Sequence, residues 1–246
     1  MTTLTKLRES QFVGAVVVAL VASAIWQVSS GLSFVIPSPA ATAEAFVQNF
    51  ADPRYLLDMA ETAQAVAQAF VIGTVLGGAI GLLLGLSAAA RTWLEPLLIA
   101  FNGVPKIVLY PVLLPIFSLG GSKIVMGVLF ALFPVLINVA VGVRTIPPVY
   151  WKLGRTVQAS TWQLFVHILL PAIRLPLLTG VRLAISLAVV GVVLSEFFAT
   201  RFGLGRVVLQ AYSHGEYAQM VSTILLLILV AFTVSVLLWR LERRVR

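Results

Sequence analysis

Some charged side chains of this sequence lie inside long apolar stretches, where a charge is unusual, and two of them are candidates for a functional role. Lys106 stands within one apolar run, and Glu196 lies near the end of another. A charge held near the middle of a bilayer is costly, so such a side chain is expected to face protein or water rather than lipid. Lys106 is therefore a candidate for attracting an anionic solute, and equally a candidate for pairing with a buried carboxylate such as that of Glu196.

The apolar run that carries Lys106 is interrupted by three prolines, which are Pro105, Pro111 and Pro115. Each proline removes a backbone donor and clashes with the preceding turn, so a straight helix is excluded. Broken helices in membranes usually line cavities, which favours a wall of a solute path over a purely structural kink. The residues predicted to line that path are Asn102, Lys106, Tyr110, Asn138 and Glu196.

The sequence lacks the motifs that indicate catalysis or nucleotide binding. It contains no G-x-x-x-x-G-K-[ST] phosphate loop, no H-E-x-x-H zinc motif and no G-x-S-x-G nucleophile elbow. His167 and His214 are its only histidines and are far apart, and it has no cysteine for a disulfide or a thiolate metal site. We therefore predict no catalytic residue, no metal and no cofactor on this chain.

A polar island, GRTVQASTWQLFVHILLP, occupies residues 154–171. Pro147 and Pro148 end the preceding apolar helix, and residues 149–160 are predicted to form a short helix before Thr161 begins another segment. The residues alone fit two interpretations, a solvated connector and a surface that docks on a soluble partner.

These residues must be positioned by membrane helices. The chain is 60% hydrophobic and 11% charged, well outside the range of soluble domains, which are about 45–50% apolar. Apolar runs of spanning length occur near residues 12–28, 62–89, 94–119, 124–143, 175–198 and 220–239. None alternates as a barrel strand would. The sequence thus predicts an all-α polytopic membrane protein with about six transmembrane helices.

The distribution of lysine and arginine predicts the orientation of these helices. With the N-terminus in the cytoplasm, eleven of the 17 basic residues fall inside, and Lys106 and Arg182 fall within spans. The four outer basic residues are Arg54, Lys123, Arg201 and Arg206. We therefore expect both termini and the loop 144–174 in the cytoplasm, and the first span to be retained rather than cleaved as a signal. Because the basic residues are dispersed, the net charge of +8 does not indicate nucleic acid.

Three local patterns add detail to this arrangement. Glycines recur every fourth residue at 73, 77, 81 and 85, which allows close helix packing or, alternatively, a sliding surface. Ser38 and Pro39 begin a predicted amphipathic helix suited to the outer membrane interface. Residues 212–217 are the most polar outward segment and a candidate contact for an outer binding protein.

Five features together resemble one family. Ile168, Leu170 and Pro171 match the end of its cytoplasmic motif, and counting back nine residues places Gln158 at the motif's glycine and residues 152–154 at its Glu-Ala-Ala. The other features are IPSP (36–39), PVLINVAVGVR (134–144), QASTWQLFVHILLPAIRLPLLTGVRLA (158–184) and VVLSEFF (192–198). In these the chain resembles the membrane subunits of bacterial ABC importers, of the nitrate/sulfonate/taurine-type branch.

The resemblance implies a permease subunit in the bacterial inner membrane. Residues 1–56 would form an N-terminal transmembrane helix and an outer interfacial helix, and residues 57–246 a permease core. Its expected partners are two ATPase subunits that hold ATP and Mg, a second permease copy or a sister permease, an extracytoplasmic solute-binding protein and lipid. A short cytoplasmic coupling helix would contact the ATPase. The implied coupling residues are Thr156, Gln158, Ala159, Ser160, Thr161, Trp162 and Phe165.

The implied solute is small and polar or anionic: nitrate, a sulfonate, an aromatic acid or similar. Lys152 stands where the family usually has an acidic residue. Two assemblies are compatible with this difference: a homodimer with a divergent motif, and a heterodimer whose second permease carries the usual motif. A self-sufficient secondary transporter would need inverted repeats and intramembrane acids, of which only Glu196 is a candidate. A scaffold protein would have no use for the I-x-L-P motif.

Overall fold

The computed structural model describes residues 2–245, and it describes their side chains from residue 13 onward except at 15, 16, 19, 241, 244 and 245. The described chain consists of helices and their connections, with no strand. The helices are α1 (Thr2–Leu32), α2 (Pro39–Asn49), α3 (Pro53–Leu86), α4 (Ala88–Gly103), α5 (Tyr110–Arg144), α6 (Pro148–Thr156), α7 (Thr161–Leu164), α8 (Leu170–Glu196), α9 (Leu204–His214) and α10 (Tyr217–Val245). A 3-10 turn (Lys106–Leu109) precedes α5, and a π-helical turn (Phe165–Leu169) joins α7 to α8.

Several of these helices are long and apolar enough to cross a bilayer. Four such segments occur among the described residues, and they are Pro53–Leu86, Lys106–Arg144, Thr161–Glu196 and Tyr217–Arg240. A shorter apolar stretch, Leu20–Leu32, lies within α1. The prediction of an all-α, multi-span membrane protein is confirmed.

The segment Lys106–Arg144 contains a reversal of the chain. Ser118 has φ 60° and ψ 178°, which is not helical, in the middle of α5. Phe101 stacks on Phe133 with ring centroids 6.0 Å apart, and Glu95 forms an ion pair with Arg144 at 2.8 Å. These contacts join residues before and after Ser118 in antiparallel order. The predicted spans 94–119 and 124–143 are therefore separated by a tight turn inside one long helical segment.

The predicted break at the prolines is also present. Helix α4 ends at Gly103, and Val104 and Pro105 are extended before the 3-10 turn. The span predicted at 94–119 is consequently discontinuous at Pro105, whereas Pro111 lies in the first turn of α5 and Pro115 inside that helix.

The chain divides into two compact units, one formed by Met1–Leu56 with Val207–Leu226 and the other by Leu57–Arg206 with Leu227–Arg246. In the first unit, Ser38 caps α2 by accepting a hydrogen bond from the backbone N–H of Ala41 at 3.2 Å, and Pro39 is its first residue. The buried Asn49 side chain donates to Ser222 Oγ at 2.9 Å.

The second unit is built on the close packing of α3, α5 and α8. The glycine stripe of α3 faces α5 so closely that a Cβ at Gly77 would lie 2.5 Å from the carbonyl oxygen of Leu132. Helix α5 also packs closely on α8, where a Cβ at Gly180 would lie 3.0 Å from Val135 Cα. The buried core of these helices includes Ala131, Val135, Val139, Ala184, Ala188 and Val192. The glycine stripe thus serves packing within the unit in this structure.

Candidate functional site

The polar island folds into a helix, a tight turn and a second helix, which we call the coupling segment (residues 148–165). Helix α6 ends at Thr156, four residues before the predicted end at residue 160. It ends early because Gln158 has φ +53° and Ala159 donates its N–H back to the carbonyl of Gly154 at 2.9 Å. Ser160 then caps α7, and its backbone N–H donates to the Gln163 side chain at 2.8 Å.

The two helices of the coupling segment touch at a glycine. Gly154 is buried, and a Cβ there would collide with the side chain of Leu164. The absence of a side chain at residue 154 therefore allows α6 to lie directly on α7. Sequence reasoning missed this role, although a glycine in the middle of a short amphipathic helix is a signal of close approach.

The exposed surface of the coupling segment combines large apolar side chains with polar ones. Trp162 is 71% exposed and stacks on Phe165 with ring centroids 5.7 Å apart. Further exposed large side chains of this surface are Val149, Tyr150, Leu153 and Val157. Thr156 and Thr161, which are also exposed, lie beside these apolar side chains along the chain.

The left-handed backbone at Gln158 yields a testable prediction. A left-handed conformation destabilises the folded state by about 1–2 kcal/mol for a residue with a Cβ, and glycine avoids this cost. Glycine also makes the unfolded chain more flexible, which lowers the free energy of unfolding by about 0.4–1 kcal/mol. We therefore expect Gln158→Gly to raise the free energy of unfolding by about 0.5 kcal/mol in thermal denaturation of the purified protein. Lys152→Gly, in the middle of α6, should instead lower it by up to about 1 kcal/mol. A loss for Gln158→Gly as large as the loss for Lys152→Gly would contradict the left-handed turn.

Lys106 and Asn102 lie together in what we call the lysine niche (Asn102, Lys106, Phe130 and Phe133). The Lys106 ammonium donates to the Asn102 side-chain oxygen at 3.0 Å and to its carbonyl at 3.2 Å. It also lies 4.8 Å from the ring centroid of Phe133 and 5.6 Å from that of Phe130. No described carboxylate forms an ion pair with Lys106, so the alternative pairing with Glu196 is wrong.

Asn102 also lines a cavity of about 220 Å³. Its polar walls are Asn102 and the ion pair of Glu95 with Arg144, and the remaining walls are apolar. The apolar lining residues are Leu84, Leu98, Ile99, Phe133, Leu136, Ile137, Ala140 and Val141. Asn138 does not line this cavity, and its side chain donates to the carbonyl of Pro134 at 2.8 Å.

Tyr110 and Glu196 lie in the interior, away from any open surface. Tyr110 is fully buried, and its hydroxyl donates to the carbonyl of Ala199 at 2.7 Å. Glu196 is only 2% exposed. Neither side chain can touch a solute in this structure.

Glu196 instead belongs to a buried ion cluster that sequence reasoning missed. Lys123 was expected in an outer connection, but it is only 3% exposed and its ammonium lies 3.3 Å from Glu196 Oε1. The turn at Ser118 explains this burial, because it places Lys123 inside the following helix, opposite α8. Thr62 donates to Glu196 at 3.0 Å, and Glu61 lies 3.7 Å from Lys123. The sequence feature that could have indicated this cluster is the position of Lys123 and Glu196, each at the end of an apolar run.

Comparison with known proteins places these features in context. Residues 73–246 match the family described as binding-protein-dependent transport system inner membrane component. The nitrate import permease protein of Leptolyngbya laminosa is 29% identical over 189 residues, which make up 76% of this chain and 67% of that protein. The putative aliphatic sulfonates transport permease protein of Bacillus subtilis is 27% identical over 226 residues, 90% of this chain and 82% of that protein. The riboflavin transport system permease protein of Chloroflexus aurantiacus is 30% identical over 227 residues, 89% and 83% of the two chains.

The fold is similar to that of a chain from a structure of the MetNI methionine ABC transporter in inward-facing conformations. The TM-score is 0.66 at 20% sequence identity, and the match covers 78% of this chain and 95% of that chain. At this identity the likeness concerns the fold alone.

Proposed function

The chain belongs to the family of binding-protein-dependent transport system inner membrane components, and we propose that its coupling segment transmits ATP-driven movement to a path for a small anion. It is a multi-pass permease subunit of an ABC importer, and as such not itself an enzyme. In this proposal ATP and Mg are held by two partner ATPase subunits, and an extracytoplasmic binding protein delivers the solute. The permease pairs with a second copy or a sister subunit.

The exposed apolar surface of the coupling segment carries this proposal. A connector that touched only water would gain nothing by exposing Trp162 and Leu153, whereas a docked surface buries them. Trp162 and Phe165, already stacked on each other, are the proposed anchors, because aromatic side chains in a pocket often dominate binding energy. Thr156, Gln158, Ala159, Ser160 and Thr161 form the turn that enters the ATPase. Lys152 is exposed beside them in place of the family's usual acid.

The lysine niche supports an anionic solute. Its ammonium is held by Asn102 and two aromatic faces, none of which neutralises its charge. A cation fixed in this way at a break between helices remains available to a negative ligand. Nitrate and aliphatic sulfonates, the ions in the names of two relatives, are anions of the expected size.

A self-sufficient secondary transporter is the alternative function, and a transport assay separates the two. We propose that uptake of a labelled anion into vesicles requires ATP, and that an ATP-binding subunit copurifies with the permease in stoichiometric amount. Both termini are placed in the cytoplasm in this proposal, with the coupling segment on the same side. Uptake driven by an ion gradient in vesicles that lack the ATPase would overturn it.

Replacing Lys106 by methionine tests the solute path. Lys106→Met keeps the length of the side chain and its contact with Phe133 but removes the charge. The apparent affinity for the transported anion should fall by roughly tenfold, the equivalent of one charge-assisted hydrogen bond of about 1.5 kcal/mol. Kinetics of uptake with the complete transporter would measure it. Arg54→Met removes an exposed charge as a control. Unchanged affinity in a normally inserted Lys106→Met protein would exclude the role.

A further inference from the structure

The connection between α8 and α9 is held in place by side chains from three other parts of the second unit. We call residues 197–205 the pinned loop. Tyr110 donates to the carbonyl of Ala199 at 2.7 Å, and the Lys123 ammonium donates to the carbonyl of Phe202 at 3.3 Å. Both donors lie on α5, so the buried lysine binds the loop as well as Glu196.

Three backbone N–H groups of the pinned loop are bound in the same manner. Asp58 accepts from the N–H of Gly203 at 2.6 Å, Thr62 accepts from that of Leu204 at 2.8 Å, and Glu196 accepts from that of Gly205 at 2.9 Å. Hydrogen bonds to charged groups in a buried setting are stronger than ordinary ones. The loop is therefore a rigid platform and not a flexible connector.

The pinned loop presents an arginine to a second cavity. Arg201 is exposed in the loop and lines an open depression of about 530 Å³, which we call the Arg201 cavity. Its other lining residues are Leu114, Ser118, Leu119 and Gly120. Among the described residues no carboxylate forms an ion pair with Arg201, whereas Arg206, five residues on, is paired with Asp58 at 2.8 Å.

The opposite wall of the Arg201 cavity is the strained turn at Ser118. A φ of 60° with a ψ of 178° is a region that glycine occupies readily and other residues avoid. Such strain costs about 1–3 kcal/mol and persists where the surrounding structure over-determines it, often at ligand sites. Here it lets the chain reverse while an exposed hydroxyl remains at the cavity wall.

We propose that the Arg201 cavity is an anion-binding station, separate from the lysine niche, which takes a small oxyanion or carboxylate. The guanidinium of Arg201 offers a planar pair of donors that matches such a ligand, and Ser118 supplies a further hydroxyl donor. The Asp58, Thr62, Lys123 and Glu196 contacts position the arginine through the pinned loop. The inference rests on the proposed transport of an anion, since it adds a second station to that path.

The test uses the natural absence of cysteine in this chain. A Cβ at Gly120 would meet no atom within 4 Å, so Gly120→Cys places a thiol at the cavity wall without a collision. The purified protein is treated with a sulfonate-bearing and with a trimethylammonium-bearing methanethiosulfonate reagent at low ionic strength. The ratio of the two reaction rates reports the local preference for negative charge, and it needs neither the ATPase nor transport.

We expect Arg201→Gln to lower this rate ratio by about three- to tenfold, because one nearby positive charge attracts one reagent and repels the other. Arg201→Lys should retain most of the preference. Arg54→Gln removes an exposed charge that does not line the cavity and should leave the ratio unchanged. An unchanged rate ratio in Arg201→Gln would overturn the proposed anion site. The proposed function would not be affected by that result, because it is tested separately by ATP-dependent uptake.

Discussion

Ala159→Arg is expected to abolish retention of the ATPase subunit on the purified permease. Ala159 is half-buried between the left-handed Gln158 and the helix cap Ser160, and its N–H is bonded to Gly154. A long charged side chain at this turn has no space inside a docked cleft, and burying its guanidinium without a partner is costly. We expect the affinity for the ATPase to fall by about 30-fold or more, which corresponds to the roughly 2 kcal/mol of a central interface residue.

The measurement is the amount of ATPase recovered with the tagged permease, together with solute-stimulated ATP hydrolysis. Ala43→Arg is the control for adding an arginine elsewhere, because Ala43 is exposed on the short helix α2 and lies outside the coupling segment. Trp162→Ala should weaken retention by a similar amount, since it removes the proposed anchor without adding bulk. An ordinary connector would accept Ala159→Arg and Trp162→Ala within about 0.5 kcal/mol. Normal retention of Ala159→Arg would leave the coupling segment as a loop between two spans.

The parts of this fold that depend on local sequence could be predicted. The long apolar runs predicted the membrane helices, the prolines predicted the break before Lys106, and Ser38 followed by Pro39 predicted the start of α2. Each of these features is decided by backbone donors and hydropathy within a few residues.

The parts that depend on packing could not be predicted in the same way. Lys123 and Glu196 are 73 residues apart, and their pairing is set by the turn at Ser118 and by how α5 lies on α8. The register of two helices does not follow from the hydropathy of either. The early end of α6 was also missed, because the left-handed position that ends it is occupied by Gln158 and not by glycine, the usual sequence signal of such an end.

The buried ion cluster is where a single substitution should cost the most stability. Glu196 has no exposed side-chain surface, and it is balanced by the ammonium of Lys123 and by donors from Thr62 and Gly205. Removing one partner of a buried pair is strongly destabilising, because it leaves an uncompensated charge, whereas replacing both partners by neutral groups is tolerated far better. The same lysine also binds the carbonyl of Phe202, so its loss would release one contact of the pinned loop.

Lys123→Met is therefore expected to lower the free energy of unfolding by about 3–5 kcal/mol, measured by thermal denaturation of the detergent-solubilised protein and by its abundance in membranes. Adding Glu196→Gln to Lys123→Met should restore a large part of that loss, because the amide carries no charge and can still accept from Gly205. Arg54→Met, an exposed basic residue, should stay within about 0.5 kcal/mol of the parent. If the two substitutions in the cluster were simply additive, Lys123 and Glu196 would not be coupled, and the account of the cluster as a buried ion pair would be wrong.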